Sequence, residues 1–121
     1  MNNALRRMVT IGASACLFSA GAHAQIDCIG EVTNLSLQLN TAGTITLSLS
    51  GGPSYTYLCD IDGAGRNGVS PAVCRTMYAT LMTAKTTGKK VSIRFYDYNT
   101  CGSIPAWANS GNLGWTVLLT D

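Results

Sequence analysis

Residues 70–95, SPAVCRTMYATLMTAKTTGKKVSIRF, contain the change of periodicity that decides the fold. In the first part, apolar side chains recur at steps of three and four, as on one face of an amphipathic helix. Those residues are Val73, Met77, Tyr78, Leu81 and Met82. Ser70 supplies an N-cap ahead of a proline, and Gly88 supplies the stop. The pattern predicts a helix over residues 71–86.

The residues after this helix follow a period of two. In residues 91–98, VSIRFYDY, apolar residues alternate with polar or aromatic neighbours, which is typical of a strand with one buried face. A polar loop follows over residues 99–112, and LGWTVLLTD is then predicted to be a last strand. The predicted apolar face of that last strand consists of Leu113, Trp115, Val117 and Leu119.

Three strands are predicted before the helix. Residues 31–50, EVTNLSLQLNTAGTITLSLS, alternate cleanly on both sides of a Gly-containing turn at residues 40–43, so they predict a β-hairpin with one buried face. The predicted buried residues are Leu35, Leu37, Leu39, Ile45, Leu47 and Leu49. YTYLC, residues 55–59, is β-prone and forms the predicted third strand.

The predicted order of elements is therefore β-β-β-α-β-β. Five strands with one helix between the third and fourth predict a mainly β protein, specifically an OB-fold, a small and partly open five-stranded barrel. A helix packed on an open antiparallel sheet has the same order and stays as the alternative.

The first 24 residues have the pattern of a secretory signal peptide. Arg6 and Arg7 precede a short apolar run, and Ala22-His23-Ala24 has the small residues of a cleavage site. The run is too short to span a membrane, and a lipid anchor at Cys16 is a minor alternative. We therefore predict one domain over residues 25–121 and a secreted or periplasmic location.

Removal of the predicted signal peptide changes the net charge of the chain and the side chains available for catalysis. With Arg6 and Arg7 removed, six of the eight basic residues remain against six acidic ones, so nothing favours a nucleic acid or an anionic membrane as partner. His23, the only histidine, leaves too, and a serine or cysteine triad of the usual kind needs one. Asp60 and Asp62 are close carboxylates on a Gly-rich loop with little to desolvate them. We predict no enzyme activity and no cofactor.

Four cysteines remain in the predicted domain: Cys28, Cys59, Cys74 and Cys101. An even number in a small exported domain predicts two disulfides, for which three pairings exist. A zinc site competes with this interpretation, but the domain has no CxxC pair and no histidine to build one.

The segment 59–74, CDIDGAGRNGVSPAVC, also has the beginning of a calcium-binding loop. Asp60, Asp62 and Gly65 stand at positions one, three and six of such a loop. Position five, however, is an alanine without a side-chain oxygen, and position twelve is a proline in place of a bidentate glutamate. We predict a strand-to-helix connection here and no metal site.

One group of motifs joins the third strand to the fourth: YLCD, the Gly-rich loop, the cysteine that opens the helix, and TTGKKVSIRFY at the helix-to-strand junction. Over residues 57–98 the chain thereby resembles the B subunits of AB5 toxins, most nearly the subtilase-cytotoxin and pertussis-like branch. The resemblance implies an exported OB-fold, a Cys59–Cys74 disulfide, a homopentameric ring, a glycan receptor and a separate A-type chain. Cys28 and Cys101 are then left for the second disulfide.

The chain also departs from that family in the region where sugars would be recognised. It lacks the long aromatic segment after the fourth strand, and it has Arg94-Phe95 where the relatives have paired tyrosines. No binding residue is therefore carried over from the resemblance.

Exposed aromatic residues are the candidates for binding. Arg94, Tyr96 and Tyr98 lie opposite the core on the predicted fourth strand, where they suit a sugar or a protein partner, or are ordinary surface strand residues. Trp107 in the polar loop either anchors a contact or caps one end of the barrel. The asparagines around it, which are also common turn residues, are Asn99, Asn109 and Asn112.

The predicted function is an exported, non-catalytic binding module built like a toxin B subunit, which binds a glycan or a protein partner and forms an oligomer. The alternative is a small monomeric periplasmic protein, such as an inhibitor whose loops plug an enzyme.

Overall fold

The computed structural model describes residues 24–119. Apart from Ala24, the predicted signal peptide lies outside these residues and stays a prediction. The elements are β1 (Ile26–Gln38), β2 (Thr44–Leu49), β3 (Thr56–Asp60), α1 (Pro71–Thr87), β4 (Lys90–Phe95) and β5 (Leu113–Leu118), with a short 3-10 turn at Cys101–Ser103. No helix within the described range is long and apolar enough to cross a membrane. The prediction of a mainly β protein with one helix is confirmed.

The five strands form one antiparallel sheet in the order β3-β2-β1-β4-β5. The long strand β1 joins its two halves, because residues 26–31 pair with β4 while residues 32–38 pair with β2. The register shifts between Val32 and Asn34, at the point where β1 exchanges one partner for the other. The sequence pattern placed the start of this strand too late, since it missed residues 26–30.

The predicted barrel is not closed, because the end strands β3 and β5 are not paired with each other in the sheet. The outer side of β3 is taken by the loop that precedes β5. Tyr57 and Asn109 form an isolated parallel bridge there, with hydrogen bonds from Tyr57 N to Ala108 O and from Ser110 N to Tyr57 O. One bridge replaces a strand-to-strand ladder, so the structure shows an open sheet.

Helix α1 has the predicted ends. The Ser70 hydroxyl accepts a hydrogen bond from the backbone N–H of Val73, and Gly88 ends the helix with φ of 69°. The buried stripe is Cys74, Met77, Leu81 and Ala84. Val73 and Met82, which were predicted on the apolar face, are exposed. Cys74 is bonded to Cys59 of β3 and faces the core, so the adjacent Val73 points to a different side of the helix.

Both disulfides are present. Cys59 of β3 is bonded to Cys74 of α1, and Cys28 of β1 is bonded to Cys101, each pair with Cα atoms 5.7 Å apart. The pairing implied by the resemblance and the remaining pair are therefore confirmed. All of these cysteines but Cys101 are fully buried, so the two cross-links form part of the core.

The leucine row of β1 is less buried than its alternation predicts. Leu35 and Leu37 pair with Leu47 and Ile45 and so share their face of the sheet, yet Leu37 is exposed and Leu39 is 98% exposed. The pairing of β1 with β4 ends at Glu31, so within residues 24–119 no strand pairs with the second half of β1 on that side. The prediction that Leu37 and Leu39 are buried is wrong for this reason.

Strand β5 presents a different face from the predicted one. Leu113 pairs with Phe95 and Thr116 with Ile93, so two residues of β5, Gly114 and Trp115, stand opposite Arg94 alone. This irregularity reverses the alternation, since an extra residue moves every later side chain to the other face. Leu113 and Leu118 therefore pack on the core, whereas Trp115 and Val117 lie exposed on the outer face.

Candidate functional site

Tyr55 and Trp107 form an exposed aromatic stack, which we call the aromatic pair. Their ring centroids are 4.8 Å apart and the ring planes differ by 9°. Tyr55 is 41% and Trp107 is 60% exposed. The Trp107 indole therefore presents apolar surface to the solvent.

The backbone of the aromatic pair is strained at both residues. Tyr55 has φ of 47° and Trp107 has φ of 55°, the left-handed region that side-chain-bearing residues rarely adopt. Each such conformation costs about 1–3 kcal/mol and persists only where surrounding interactions impose it. Strain of this kind concentrates at binding and catalytic sites, which makes the aromatic pair the strongest candidate site in the described chain.

Backbone hydrogen bonds hold the two strained residues together. The N–H of Trp107 donates to the carbonyl oxygen of Tyr55 at 2.8 Å, and the N–H of Tyr55 donates to the Ser48 hydroxyl at 2.7 Å. The adjoining bridge between Tyr57 and residues 108–110 continues this pairing along β3. The aromatic pair is thus attached directly to the sheet.

Two side chains of the loop after β3, Arg66 and Asn67, hydrogen-bond to the loop that carries Trp107. We call these two side chains the clamp. The amide nitrogen of Asn67 donates to the carbonyls of Tyr57 and Leu58 and to the buried Ser110 hydroxyl, at 2.8, 2.9 and 3.0 Å. Arg66 donates from one terminal nitrogen to Asn109 Oδ1 and lies over the ring of Tyr57. The clamp therefore joins the loop opened by Cys59 to the loop that carries Trp107.

The two aspartates do not converge, since Asp60 ends β3 and Asp62 lies in the loop that follows. Asp60 Oδ1 accepts hydrogen bonds from the Thr44 hydroxyl at 2.7 Å and from Arg66 Nε at 2.9 Å. Asp62 instead pairs with Arg75 on α1 at 3.0 Å. No group of three Asp, Glu, His or Cys side chains that could hold a metal ion occurs in residues 24–119. Each carboxylate serves a different arginine, and the loop connects β3 to α1.

Arg94 stands at the centre of a second surface, the Arg94 surface, formed with Asp27 and Trp115. Its guanidinium makes two hydrogen bonds to the Asp27 carboxylate, at 2.7 and 2.8 Å, and lies 3.6 Å from the centroid of the Trp115 ring. The hydrogen bond from Arg94 holds the pKa of Asp27 below its usual value, and the pKa of Arg94 is raised in return. These groups bind one another, so the Arg94 surface is a satisfied contact between β1, β4 and β5.

The predicted row of Arg94, Tyr96 and Tyr98 is not a continuous surface. β4 ends at Phe95, so the alternation stops before the two tyrosines. Tyr96 is exposed beside Gly114, whereas Tyr98 is half buried against the core. The structure therefore separates the four predicted binding residues, with Arg94 and Tyr96 near β5 and Trp107 on the β3 side.

Tyr55 of the aromatic pair and Asp27 of the Arg94 surface were not identified by the sequence pattern. Tyr55 had been included in the third strand, but β3 begins at Thr56 and Tyr55 belongs to the preceding turn. The only available signal was its position directly after the Gly51-Gly52-Pro53-Ser54 turn. Asp27 could not be matched to Arg94 because the first half of β1 was not predicted.

An uncharged groove of about 420 Å³ runs between α1 and β5. It is lined by Ala72, Val73, Thr76, Met77, Thr80, Gly114, Trp115 and Thr116. β5 is an end strand of the sheet, so its outer edge borders this groove.

No protein-family model matches the chain, and comparisons with curated proteins and with solved structures find no significant similarity. The function is therefore argued from the geometry of the site.

Proposed function

We propose that this chain is an exported, non-catalytic binding module of OB-fold type, similar in role to a toxin B subunit, and that its ligand is a glycan. The observation that carries this proposal is the aromatic pair. Two exposed rings in strained conformations cost stability, and a fixed apolar platform for a ligand gives that cost a functional reason. Stacking on aromatic rings is a common way to hold a flat, partly apolar molecule.

The OB-fold part of this proposal is supported by the bridge between Tyr57 and Asn109. It is parallel, and it lies between the third strand and the segment that leads into the last. A barrel closes when its two end strands pair, and this bridge joins one end strand, β3, to the loop that leads into the other. The chain is thus consistent with a barrel that is open along most of its closing edge.

An oligomer is supported by the outer edge of β5. This end strand has exposed Trp115 and Val117 side chains and no paired neighbour on its outer side within residues 24–119. Edges of this kind are usually paired or covered in stable proteins. Size-exclusion chromatography with light scattering on the domain over residues 25–121 tests this point. A pentamer agrees with the proposal, and a monomer at micromolar concentration favours the inhibitor-like alternative.

A glycan array probed with the same purified domain tests the binding function. We expect a reproducible subset of glycans to bind, at the millimolar-to-micromolar affinities that single sugars reach through a small contact area. Binding to no glycan on the array would contradict the proposed ligand. A coupled assay for general esterase, glycosidase and protease activity is expected to remain at background.

A further inference from the structure

The dipeptide Asn67-Gly68 is the one place in the chain where an asparagine precedes a glycine. An asparagine in this position can lose its side-chain amide without an enzyme, because the backbone nitrogen of the next residue attacks the side-chain carbonyl carbon. Glycine has no Cβ beside the attacking nitrogen, so the attack meets little steric resistance. Asn67 also belongs to the clamp, so the nitrogen that this reaction removes is the one that holds the Trp107 loop.

The attacking nitrogen of Gly68 is accessible. Gly68 is exposed, and its N–H donates no hydrogen bond within residues 24–119. A Cβ added to Gly68 would meet only Asn112 Oδ1, at 3.4 Å, so the space around this residue is open. Water and hydroxide can therefore reach both the N–H that must lose its proton and the ring that would form.

The leaving nitrogen, Nδ2 of Asn67, is held by the fold. It donates to the backbone carbonyl oxygens of Tyr57 and Leu58, at 2.8 and 2.9 Å. A third hydrogen bond, 3.0 Å long, joins it to the hydroxyl of Ser110, which is fully buried. Expulsion of this nitrogen as ammonia requires that all three bonds break, so the reaction proceeds from an open clamp.

From these observations we infer that Asn67 is a site of spontaneous deamidation, which the closed clamp slows and which afterwards keeps the clamp from closing again. In the first step a bond forms between the Gly68 nitrogen and Cγ of Asn67. The bond from Cγ to Nδ2 breaks, and that nitrogen leaves as ammonia with the proton of the Gly68 N–H. One water then opens the cyclic imide at either carbonyl, which gives aspartate or isoaspartate at residue 67. Nothing is oxidised or reduced, and no step depends on the identity of the ligand.

The product lacks the groups that close the clamp. An ionised carboxylate accepts hydrogen bonds and donates none. Two of the three atoms that bind the natural amide, the carbonyl oxygens of Tyr57 and Leu58, also only accept. Contact between such groups is repulsive, and carbonyl groups left without a donor lower the stability of the closed form. In isoaspartate the main chain is also one carbon longer. The Trp107 loop therefore loses its attachment to residue 67.

Incubation of the domain over residues 25–121 in mildly alkaline water enriched in the heavy oxygen isotope tests this site. Each deamidation takes up one labelled oxygen, so mass spectrometry of peptic peptides distinguishes conversion during the incubation from conversion before or after it. The same domain, with its four cysteines reduced and alkylated in urea, is the open reference. We expect label at residue 67 in both samples, with a rate at least about tenfold lower in the folded domain.

Ser110→Ala weakens the clamp without changing the reacting dipeptide. It removes one acceptor for the Asn67 amide, so the folded domain should convert about fivefold faster while the rate in urea stays the same. Ser36→Ala is the matched control, because it removes an exposed hydroxyl on β1 and should leave both rates unchanged. Thermal unfolding establishes that each variant is folded.

The converted protein tests the effect on the Trp107 loop. Anion exchange isolates it, since each deamidation adds one negative charge. Hydrogen exchange in residues 105–110 should be about tenfold faster in the converted protein than in the unconverted one. Asn67→Asp, which introduces the carboxylate without the lengthened main chain, should also show faster exchange there.

Four results would overturn the proposal. Equal rates in the folded domain and in urea would show that the fold does not slow the reaction. A folded Ser110→Ala domain that converts at the natural rate would show that the clamp does not control it. The absence of label at residue 67 in the folded domain, over many half-lives of the urea reference, would show that the folded protein is not modified. Unchanged hydrogen exchange in the converted protein would show that the loop does not depend on this amide.

Discussion

The aromatic pair and the Arg94 surface both present an exposed tryptophan, but their surroundings differ. Trp115 is covered on one face by the Arg94 guanidinium at 3.6 Å, and Arg94 is bound in turn by Asp27. Trp107 stacks on a neutral tyrosine, and both residues of that pair have a positive φ. The charged groups of the Arg94 surface are bound to one another. In the aromatic pair, the strained backbone lowers stability while the Trp107 ring stays exposed to solvent.

This difference shows which structural features distinguish a candidate binding surface from a structural one. Exposure alone does not distinguish the two tryptophans, since Trp115 is 46% exposed. Backbone strain does distinguish them, because Trp107 has a positive φ, which costs stability and persists only where surrounding interactions impose it. The variants described next separate a surface that stabilises the fold from one that binds.

The largest expected effect comes from the disulfide that joins the two regions. Cys28 follows Asp27, and Cys101 begins the segment that leads to Trp107. Replacing Cys28 and Cys101 by alanine should lower the free energy of unfolding by about 4 kcal/mol, because the bond closes a long loop. The Cys59 and Cys74 double replacement, over a sequence separation of 15, should cost about 3 kcal/mol.

Urea unfolding of the two double variants measures which disulfide contributes more to the free energy of unfolding. Hydrogen exchange of the first variant should show faster opening in residues 101–110 than in residues 26–29, since the sheet still holds the latter. Equal losses of unfolding free energy in the two variants would contradict the role assigned to the Cys28–Cys101 bond. So would hydrogen-exchange protection that is retained throughout the Trp107 loop.

Asn67→Gly should have the next largest effect. Glycine keeps the φ of 55° at this position but removes three hydrogen bonds, including the bond to the buried Ser110 hydroxyl. We expect a loss of about 2 kcal/mol from the unsatisfied groups and a weaker response of Trp107 to sugar. Thermal unfolding measures the first effect, and binding of the variant to the glycan array measures the second. Unchanged affinity with reduced stability would show that the clamp serves the fold alone.

The two tryptophans should then respond in opposite ways. Trp107→Gly exchanges a stacked ring for a relaxed backbone, so its Tm should stay near that of the natural protein while its sugar affinity falls about tenfold. Trp115→Ala should lower Tm by a few degrees, because Arg94 loses its stacking partner, and leave sugar affinity unchanged. Loss of sugar affinity in Trp115→Ala would indicate that the sugar binds at the Arg94 surface instead.

The smallest expected effect is the pH response of the Asp27–Arg94 pair. Because the pKa of Asp27 is lowered in the folded state, its contribution to stability is complete above the unfolded value of about 3.9 and disappears as pH falls through the folded value. Asp27→Asn should therefore be slightly less stable than the natural protein at pH 7. The difference should shrink in urea unfolding as the pH is lowered below about 3.9, and a difference that does not change with pH would show that it does not come from ionisation.

Several features of the fold could be predicted because they depend on neighbouring residues. The ends of α1 follow from the Ser70 cap and from Gly88, and the hairpin of β1 and β2 follows from alternation on both sides of a turn. The disulfide framework followed from an even number of cysteines, and its pairing from a resemblance at the third strand.

Other features depend on contacts between distant segments and could not be predicted. The face that β5 presents depends on a register shift opposite Arg94, which no local pattern reveals. Trp107 was a candidate from the start, but its partner Tyr55 lies 52 positions earlier and was taken for a strand residue. The site was therefore only half predicted.

By itself, the sequence determined the types and order of the elements, the even number of cysteines in the predicted domain and the absence of a histidine from it. Local propensity and composition suffice for these, since each is settled within one element or by counting residues. Only the tertiary structure decided that the sheet is open, that Trp115 is bound to Arg94, and that Trp107 is presented on Tyr55. These outcomes depend on strand register and loop closure, which are set by contacts between residues far apart in the chain.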